Sequence, residues 1–486
     1  NSIRIGGRIK ESQTVSWVQN DPSVCYKTLY TRTGLQGASL CTYYDKYGRE
    51  VIRENYGREA LLEGYGNSFK KVQIQTEYYE DGRIYRISKP ISVWGTNWAS
   101  MYTYDKYGRV LTEETPQGTL TISYGANYME TVKPDGTERK EWNPAGQMIK
   151  STVNGRDVFL SYTAGNRLRS LQPEYGSVFS MTYDLQGNCI KQTDPAAGTI
   201  QFSYDAWGQL RWKKQQIHSG SSETTTTYFY SPAGLLQKKT LSGSPTTYAY
   251  DAYNRLQSIT KSGHVQSYEY DAFDRPVKVT DLINKVSFVT QKEYDEKGRI
   301  SKEVYPSGYY ITNQYDVNGY LKSVTDKDGS IVWKVRQSDP EGRILKEEKR
   351  GIMTEYTYNY EGQLTSIKSP GRVDMSYTYY PTGNVKQYKD GISNQQEDYL
   401  YDNLDRLINW KKPTQSYPFY NIDYDGYVNR ITRKYDPLNG ESGYSYLSSS
   451  SHTLKELSYC SLPAQNVSYT DFKKVKKVEM DGNWLS

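Results

Sequence analysis

Apolar and polar side chains alternate in short runs along this chain, and turn-forming residues separate the runs. Tyr248 and Tyr250 illustrate the pattern, because side chains two residues apart share one face of an extended strand. Residues 251–254 (Asp-Ala-Tyr-Asn) then place Asp first and Asn fourth in a predicted type I turn with a bulge. A second extended run follows at 255–260, and a second turn at 261–263 closes it. The pattern predicts a unit of two short strands and two turns.

This hairpin unit recurs with a step of 20 or 21 residues in the most regular stretches of the chain. Counting degenerate copies, about 20 repeats run from near residue 44 to the end. The fourth turn position is usually Gly, Asn or Asp, which tolerate a positive φ. The clearest copies begin at Tyr44, Tyr104, Tyr183, Tyr204, Tyr230, Tyr250, Tyr270, Tyr294, Tyr315 and Tyr401.

Four positions define the repeat: a leading Tyr, the Asp after it, the fourth turn residue and the Arg that follows. A feature repeated along a chain is typical of turn stabilisation and a local ion pair rather than of catalysis. We therefore predict a structural, repeat-defining role for these side chains. They are Tyr44, Asp45, Gly48, Arg49, Tyr104, Asp105, Gly108, Arg109, Tyr183, Asp184, Gly187, Tyr204, Asp205, Gly208, Tyr250, Asp251, Asn254, Arg255, Tyr270, Asp271, Arg275, Tyr294, Asp295, Gly298, Arg299, Tyr315, Asp316, Gly319, Tyr401, Asp402 and Arg406.

Successive hairpins are predicted to add to one continuous antiparallel sheet. A lone hairpin is marginal in water, whereas stacked copies bury their faces cooperatively. Strongly twisted sheets curl beyond about ten strands, so a ribbon of this length is expected to form a spiral, a hollow shell or part of one. The predicted fold class is therefore all-β. Residues 1–40 show no clear repeat and are predicted to cap the repeat region at 41–486, in continuity with it.

Composition supports an ordered, tyrosine-packed protein. Of 486 residues 50 are Tyr, while the hydrophobic fraction is only 36% and the mean hydropathy is −0.83. These values exclude an ordinary aliphatic-core enzyme, and disordered chains are poor in aromatic residues. The net charge of +6 is spread over interleaved charges, so no footprint for nucleic acid is visible. The chain contains no run of 18 apolar residues, so the sequence predicts no membrane-spanning helix. The first residue is Asn1 rather than Met, which suggests a piece of a longer polypeptide.

Candidate chemistry is sparse in the sequence. The four cysteines, Cys25, Cys41, Cys189 and Cys460, form no CxxC pair, and a Cys25–Cys41 bridge remains open if the chain is exported. No histidine has another His or a Cys at the spacing of metal ligands; the three are His218, His264 and His452. Nucleophile, phosphate-binding and zinc-protease motifs do not occur. We expect no catalytic residue, no cofactor and no metal site.

The repeated segments of this chain resemble the YD repeats of the Rhs family. Residues 294–300 (Tyr-Asp-Glu-Lys-Gly-Arg-Ile) fit the family pattern closely, and residues 183–198 fit its pair of turns. The resemblance covers nearly all of the chain from about residue 40. It implies a β-ribbon that spirals into a hollow shell, which in toxin members encloses a C-terminal toxic polypeptide. The self-cleavage motif of such members, Pro-x-x-x-x-Asp-Pro-x-Gly-Leu, does not occur here, and residues 434–440 read as one more turn.

Two functions follow from these expectations. The first is a non-catalytic shell segment of an exported bacterial protein, secreted or at the cell surface, that encloses or presents a toxin absent from this chain. Its partners would be that cargo or components of a delivery system, with no nucleic acid and no membrane span. The alternative is an extracellular adhesion module whose tyrosine-rich surfaces bind glycan or protein.

Overall fold

The protein consists of β-strands joined by tight turns, and a computed structural model describes most of the chain. The described residues are 2–5, 8–19, 23–32, 35–56, 71–92, 98–116, 118–134, 136–194, 198–216, 223–412, 420–425, 430–436, 440–446, 454–459, 465–469, 475–480 and 483–485. All regular structure among them is extended and every strand pair is antiparallel. The prediction of an all-β ribbon of antiparallel hairpins is confirmed.

The described strands fall into two units. Unit 1 comprises residues Asn1–Ile122, Val289–Gly383 and Tyr388–Gln395, and unit 2 comprises Ser123–Phe288, Asn384–Gln387 and Gln396–Ser486. The strands of unit 1 are β1 (Ser2–Ile5), β2 (Arg8–Trp17), β3 (Tyr26–Arg32), β4 (Leu35–Tyr44), β5 (Glu50–Tyr56), β6 (Lys71–Tyr78), β7 (Ile84–Ser88), β8 (Ile91–Ser92), β9 (Trp98–Tyr104), β10 (Val110–Thr115), β28 (Ile300–Val304), β29 (Tyr310–Tyr315), β30 (Leu321–Asp326), β31 (Ile331–Ser338), β32 (Ile344–Lys349), β33 (Ile352–Tyr358), β34 (Leu364–Ser369) and β35 (Val373–Tyr379).

Unit 2 has the same construction. Its strands are β12 (Tyr128–Lys133), β13 (Gly136–Trp142), β14 (Met148–Val153), β15 (Arg156–Tyr162), β16 (Leu168–Pro173), β17 (Phe179–Tyr183), β18 (Cys189–Asp194), β19 (Gly198–Tyr204), β20 (Leu210–Gln216), β21 (Thr224–Tyr230), β22 (Leu236–Leu241), β23 (Ser244–Tyr250), β24 (Leu256–Lys261), β25 (His264–Tyr270), β26 (Pro276–Ile283), β38 (Leu407–Lys411), β39 (Tyr420–Tyr424), β40 (Ile431–Asp436), β41 (Gly440–Tyr446), β42 (Leu454–Tyr459), β43 (Gln465–Tyr469), β44 (Val475–Met480) and β45 (Asn483–Leu485). Four further strands carry residues of both units: β11 (Gly118–Tyr124), β27 (Val286–Tyr294), β36 (Val385–Asp390) and β37 (Gln395–Tyr401).

Within each unit, strands pair with their neighbours along the chain. The short β8 is an irregularity, because β6 pairs with both β7 and β8 while β7 pairs on with β9. The hairpin of β23 and β24 shows the regular register: Tyr250 lies opposite Leu256 and Ala249 opposite Ser258. Gln257 has no opposite residue and therefore forms a bulge.

Both predicted turns of this hairpin unit are present. Asn254 has φ 63° and donates its N–H to the carbonyl of Asp251 at 3.0 Å, as a type I turn with a left-handed fourth residue requires. The second turn consists of Ser262 (φ 46°) and Gly263 (φ 81°) between the paired residues Lys261 and His264. Two consecutive positive φ angles match the twist of the flanking strands, which favours such tight hairpins.

Aliphatic side chains contribute little buried core. Along β23, residues 246, 248 and 250 are half-buried while 245, 247 and 249 are exposed, as period two predicts. The buried apolar side chains among the described residues are Val24, Cys41, Val72, Ile91, Val335 and Ile422. Buried polar side chains are at least as common in this part of the chain. Tyrosine faces and hydrogen bonds therefore hold the sheet more than aliphatic packing does.

The N-terminal segment is also made of paired strands. β3 pairs with β4, and β4 continues into the first clear repeat by pairing with β5. Cys25 and Cys41 are both free thiols. Cys41 lies opposite Leu29, four residues from Cys25, which separates the two cysteine Cα atoms along the strand by about 13 Å at about 3.3 Å per residue. A disulfide needs less than about 7 Å, so the bridge left open by the sequence is not formed. Cys460 lies outside the described residues.

Candidate functional site

In the repeats that contain both Asp and Arg, the turn Asp is bound on both of its carboxylate oxygens. Oδ1 of Asp251 accepts the N–H groups of Tyr253 and Arg255, each at 2.9 Å, and Oδ2 accepts the Nε–H of Arg255 at 2.7 Å. Burial raises the pKa of Asp295, but the hydrogen bonds and the charge of Arg299 outweigh it and hold this pKa below 3.8. The same Asp–Arg pair joins Asp45 to Arg49, Asp105 to Arg109, Asp271 to Arg275, Asp295 to Arg299 and Asp402 to Arg406.

In several repeats the guanidinium also reaches the next repeat. Arg255 lies 4.7 Å from the ring centre of Tyr270, the leading Tyr of the following repeat, and 5.1 Å from that of Tyr253 in its own turn. We call this pocket the guanidinium cradle: Oδ2 of the turn Asp, the third turn residue and the leading Tyr of the next repeat. The next Tyr is contacted in the same way by Arg49 (Tyr78), Arg83 (Tyr104), Arg299 (Tyr315), Arg343 (Tyr358), Arg406 (Tyr424) and Arg430 (Tyr446).

The hydroxyl of the leading Tyr ties the repeat to the one before it. Tyr270 donates to the carbonyl oxygen of Leu256 at 2.7 Å, and Leu256 lies beside the bulge of the preceding hairpin. The bond satisfies a backbone carbonyl at the point where the hairpins separate. Equivalent bonds run from Tyr78, Tyr104, Tyr162, Tyr183, Tyr204, Tyr230, Tyr250, Tyr315, Tyr379, Tyr424 and Tyr446.

The opposite face of the strands is polar. Ser161 and Ser170 face each other across β15 and β16 with their hydroxyl oxygens 2.6 Å apart, and Lys278 donates to Glu269 at 2.8 Å across β25 and β26. Thr103 with Thr112, Lys302 with Glu293, and Ser366 with Thr357 repeat this arrangement. This face therefore presents mostly hydrogen-bonding groups, and Phe159, Phe229 and Leu400 are exposed apolar exceptions.

Some predicted positions depart from the pattern. Asp184 is bound by Asn188 and Asp205 is followed by Gln209, so neither turn supplies an Arg. Asp316 is buried, with Tyr320 at the Arg position, and its Oδ1 accepts the N–H groups of Asn318 and Tyr320. Tyr44 stacks on Tyr26 at 4.8 Å. Gly48, Gly108, Gly187, Gly208, Gly298 and Gly319 all have positive φ, as the turn requires. That these residues define the repeat stays a prediction, which the variants below test.

Sequence reasoning did not identify a buried carboxylate in unit 1. Glu347 is 5% exposed and accepts hydrogen bonds from Nε1 of Trp333 at 2.7 Å and the hydroxyl of Tyr356 at 2.6 Å, and it pairs with Lys349. Burial raises the pKa of Glu347, but its three donors and the charge of Lys349 lower it below 4.5 overall. The pKa of Tyr356 rises, through burial first and then through its bond to the carboxylate. Strand register alone assembles this cluster, and no local motif signals it.

Other candidate chemistry is limited in the described part of the chain. His264 is exposed and lies 2.9 Å from Asp281, whereas His218 and His452 fall outside the described residues. No group of three or more His, Cys, Asp or Glu side chains there has a metal-binding arrangement. No described helix is long and apolar enough to cross a membrane.

Comparison with known proteins agrees with this geometry. Residues 141–340 match the teneurin YD-shell family. The chain is thus similar to YD-shell proteins over part of its length. Its fold is similar to that of a chain in the TcdB2–TccC3 complex (TM-score 0.77, 15% identity, 98% of this chain and 31% of that one). The same complex without its hypervariable C-terminal region matches with a TM-score of 0.75 at 15% identity (95% and 30%), and the Tc holotoxin pore of Photorhabdus luminescens with 0.66 at 14% (94% and 30%).

This YD-repeat chain thus spans about a third of the length of the solved chains that it matches. At 14–15% identity the likeness establishes the fold alone. The Rhs-type resemblance expected from the sequence is confirmed, and the family match falls on the most regular repeats.

Proposed function

We propose that this chain is a non-catalytic wall segment of a longer, exported Rhs-type protein, and that the wall encloses a C-terminal toxic polypeptide. The observation that carries the proposal is the extent of the structural likeness. Nearly the whole chain follows the fold of a protein that has been solved both with and without a hypervariable C-terminal region, at almost equal similarity. A wall whose fold is independent of its contents is suited to holding a variable cargo.

The two faces of the hairpins support this role. One face holds neighbouring repeats together through Tyr rings and guanidinium groups, while the other presents mostly Ser, Thr and paired charges. A strongly apolar wall would retain an unfolded polypeptide by hydrophobic adhesion. A hydrated wall can confine such a polypeptide and still release it.

The proposal is tested on the parent protein with its flanking sequence. Limited proteolysis should leave any polypeptide downstream of residue 486 protected while the repeats are folded, and mild urea should expose it. The same downstream polypeptide expressed alone is the control and should be digested at once. Equal digestion rates in the intact protein and in the isolated polypeptide would contradict enclosure and favour the surface-adhesion alternative.

A further inference from the structure

One guanidinium cradle in unit 2 is complete except for its guanidinium. In the repeat that begins at Tyr204, the turn contains Asp205 and Trp207, and the next leading Tyr is Tyr230. Tyr230 donates to the carbonyl of Leu210 at 3.1 Å, as its counterparts do in the filled cradles. The Arg position, however, is occupied by Gln209.

The turn around this cradle is intact. Oδ1 of Asp205 accepts the N–H groups of Trp207 and Gln209, each at 2.9 Å. The side chain of Gln209 points away from the carboxylate, because its Nε2 lies 3.4 Å from the carbonyl oxygen of Gly234 in the next turn. No described residue donates to Oδ2 of Asp205, the oxygen that binds Arg Nε in the other repeats. The carboxylate therefore keeps one free acceptor that faces an aromatic pocket.

An open groove lies at this cradle. A cavity of about 790 Å³ lies between the two turns, and its lining includes Asp205, Trp207, Phe229 and Tyr230. The corresponding space beside Arg49, where the cradle is filled, measures about 520 Å³. Trp207 is 89% exposed, against 79% for Tyr253, whose ring contacts Arg255. No described cation lies over Trp207 or Tyr230.

Replacing the Arg by Gln does not always leave an empty cradle, as a second repeat without Arg shows. Asn359 and Gln363 occupy the Asp and Arg positions there, and their side chains bond to each other at 2.7 Å. The two neutral side chains thus meet each other's hydrogen-bonding need. At the Tyr204 repeat the charged Asp is retained while its partner is lost, which leaves a negative site between aromatic rings.

We propose that this cradle binds an arginine side chain supplied by a partner polypeptide. The guanidinium would bond to Oδ2 of Asp205 and stack against Tyr230 and Trp207, as Arg255 bonds to Asp251 and stacks against Tyr270 and Tyr253. A planar guanidinium fits a carboxylate flanked by rings better than the compact ammonium of lysine does. The ligand is thus inferred from the guanidinium groups that fill the equivalent cradles of other repeats. This proposal does not depend on whether the wall encloses a cargo.

The test uses the 486-residue chain and an acetylated, amidated five-residue peptide with one central arginine. Saturation-transfer NMR should show contact at the arginine Cδ protons, with a dissociation constant on the order of 1 mM. The variant Gln209→Arg fills the cradle from within and should weaken binding at least about tenfold. Gln257→Arg, which adds the same charge at an exposed bulge, should leave binding unchanged.

A gain of binding provides the second arm. Arg255→Gln empties a sister cradle and should add a second site, which raises the saturation-transfer signal at a given peptide concentration about twofold. Unchanged binding in Gln209→Arg would overturn the proposal, as would equal binding of the same peptide with lysine in place of arginine. Arg211 lines the same cavity. Binding that appears only in Arg211→Ala would show that this side chain fills the cradle itself, and would also overturn the proposal.

Discussion

The regular hairpins at Tyr230, Tyr250 and Tyr270 and the segment 315–358 share one turn geometry but are held together differently. In the regular hairpins each Tyr hydroxyl bonds to the preceding repeat, and these contacts are half-exposed and repeated. In segment 315–358 the junction between two repeats lacks both partners: Tyr320 stands at the Arg position and Ser338 at the position of the next leading Tyr.

These two substitutions fall at the same junction. In other repeats the Arg of one repeat stacks on the leading Tyr of the next. Because both residues are replaced at this junction, neither an Arg nor a Tyr is left there without its partner. Ser338 is 1% exposed, and the nearby Glu347 cluster supplies buried hydrogen bonds instead. The comparison indicates that repeated contacts are individually small, whereas the irregular junction depends on a few buried groups.

The largest expected effect comes from restoring the repeat's own consensus residue at the irregular junction. Ser338→Tyr should lower the free energy of unfolding by about 3 kcal/mol, because a ring has no room at a fully buried position. Urea unfolding followed by circular dichroism measures the change. Ser338→Ala is the control and should be nearly neutral, since no described residue bonds to the Ser338 hydroxyl. A stabilised Ser338→Tyr would contradict the interpretation that this junction is repacked.

Removal of the buried carboxylate should have the next largest effect. Glu347→Ala leaves Trp333 and Tyr356 without their acceptor and should cost about 2 kcal/mol, about 1 for each lost bond. Glu355→Ala is the control, because Glu355 is exposed and, among the described residues, pairs with Lys346 alone. If both variants unfold at the same urea concentration, the cluster does not stabilise this segment.

The same carboxylate predicts a pH dependence. The pKa of Glu347 is lowered in the folded state, so its stabilising contribution is present above about pH 4.5 and is lost as the pH falls through the folded-state value. The stability difference between the native chain and Glu347→Gln should therefore shrink on acidification from pH 6 to pH 3. A difference that stays constant over this range would show that ionised Glu347 is not the stabilising species.

In the regular hairpins, removal of one hydroxyl should have a smaller effect. Tyr270→Phe deletes the bond to the carbonyl of Leu256 but keeps the ring and should cost about 1 kcal/mol. Hydrogen exchange of the amides in β24 and β25 localises the change. Tyr253→Phe, at an exposed turn position, should change nothing. Equal protection in the two variants would exclude the Tyr–carbonyl bond as a tie between repeats.

The smallest effect is expected for one turn ion pair. Asp295→Asn keeps the acceptor for the turn N–H groups but loses the charge that pairs with Arg299, and should cost about 0.5 kcal/mol. The loss should fade at high salt, which screens the native pair. Unfolding in 0.05 M and 1 M NaCl checks this, with the exposed Glu296→Gln as control. A loss that is unchanged at high salt would assign the effect to turn geometry instead.

The hairpin fold followed from the sequence because its signals are local. The alternation around Tyr250 and the Asp and Asn of the next turn are read within a few residues, and their repetition predicted the ribbon. The Asp–Arg pair was visible for the same reason, since both side chains belong to one turn. The bond from Tyr270 to Leu256 was not predicted, because it crosses between hairpins and depends on how they separate at the bulge.

The sequence alone thus determined the all-β hairpin repeat, the turn chemistry and the tyrosine-based construction of this protein. The tertiary structure decided which groups meet between repeats: the carbonyl that each Tyr hydroxyl reaches, the burial of Glu347 and the open cradle at Asp205. The physical reason is that backbone conformation responds to neighbouring residues, whereas burial and contacts between hairpins depend on strand register and packing. A Gln at position 209 is an ordinary substitution in the sequence, and only the surrounding carboxylate and rings make it an empty site.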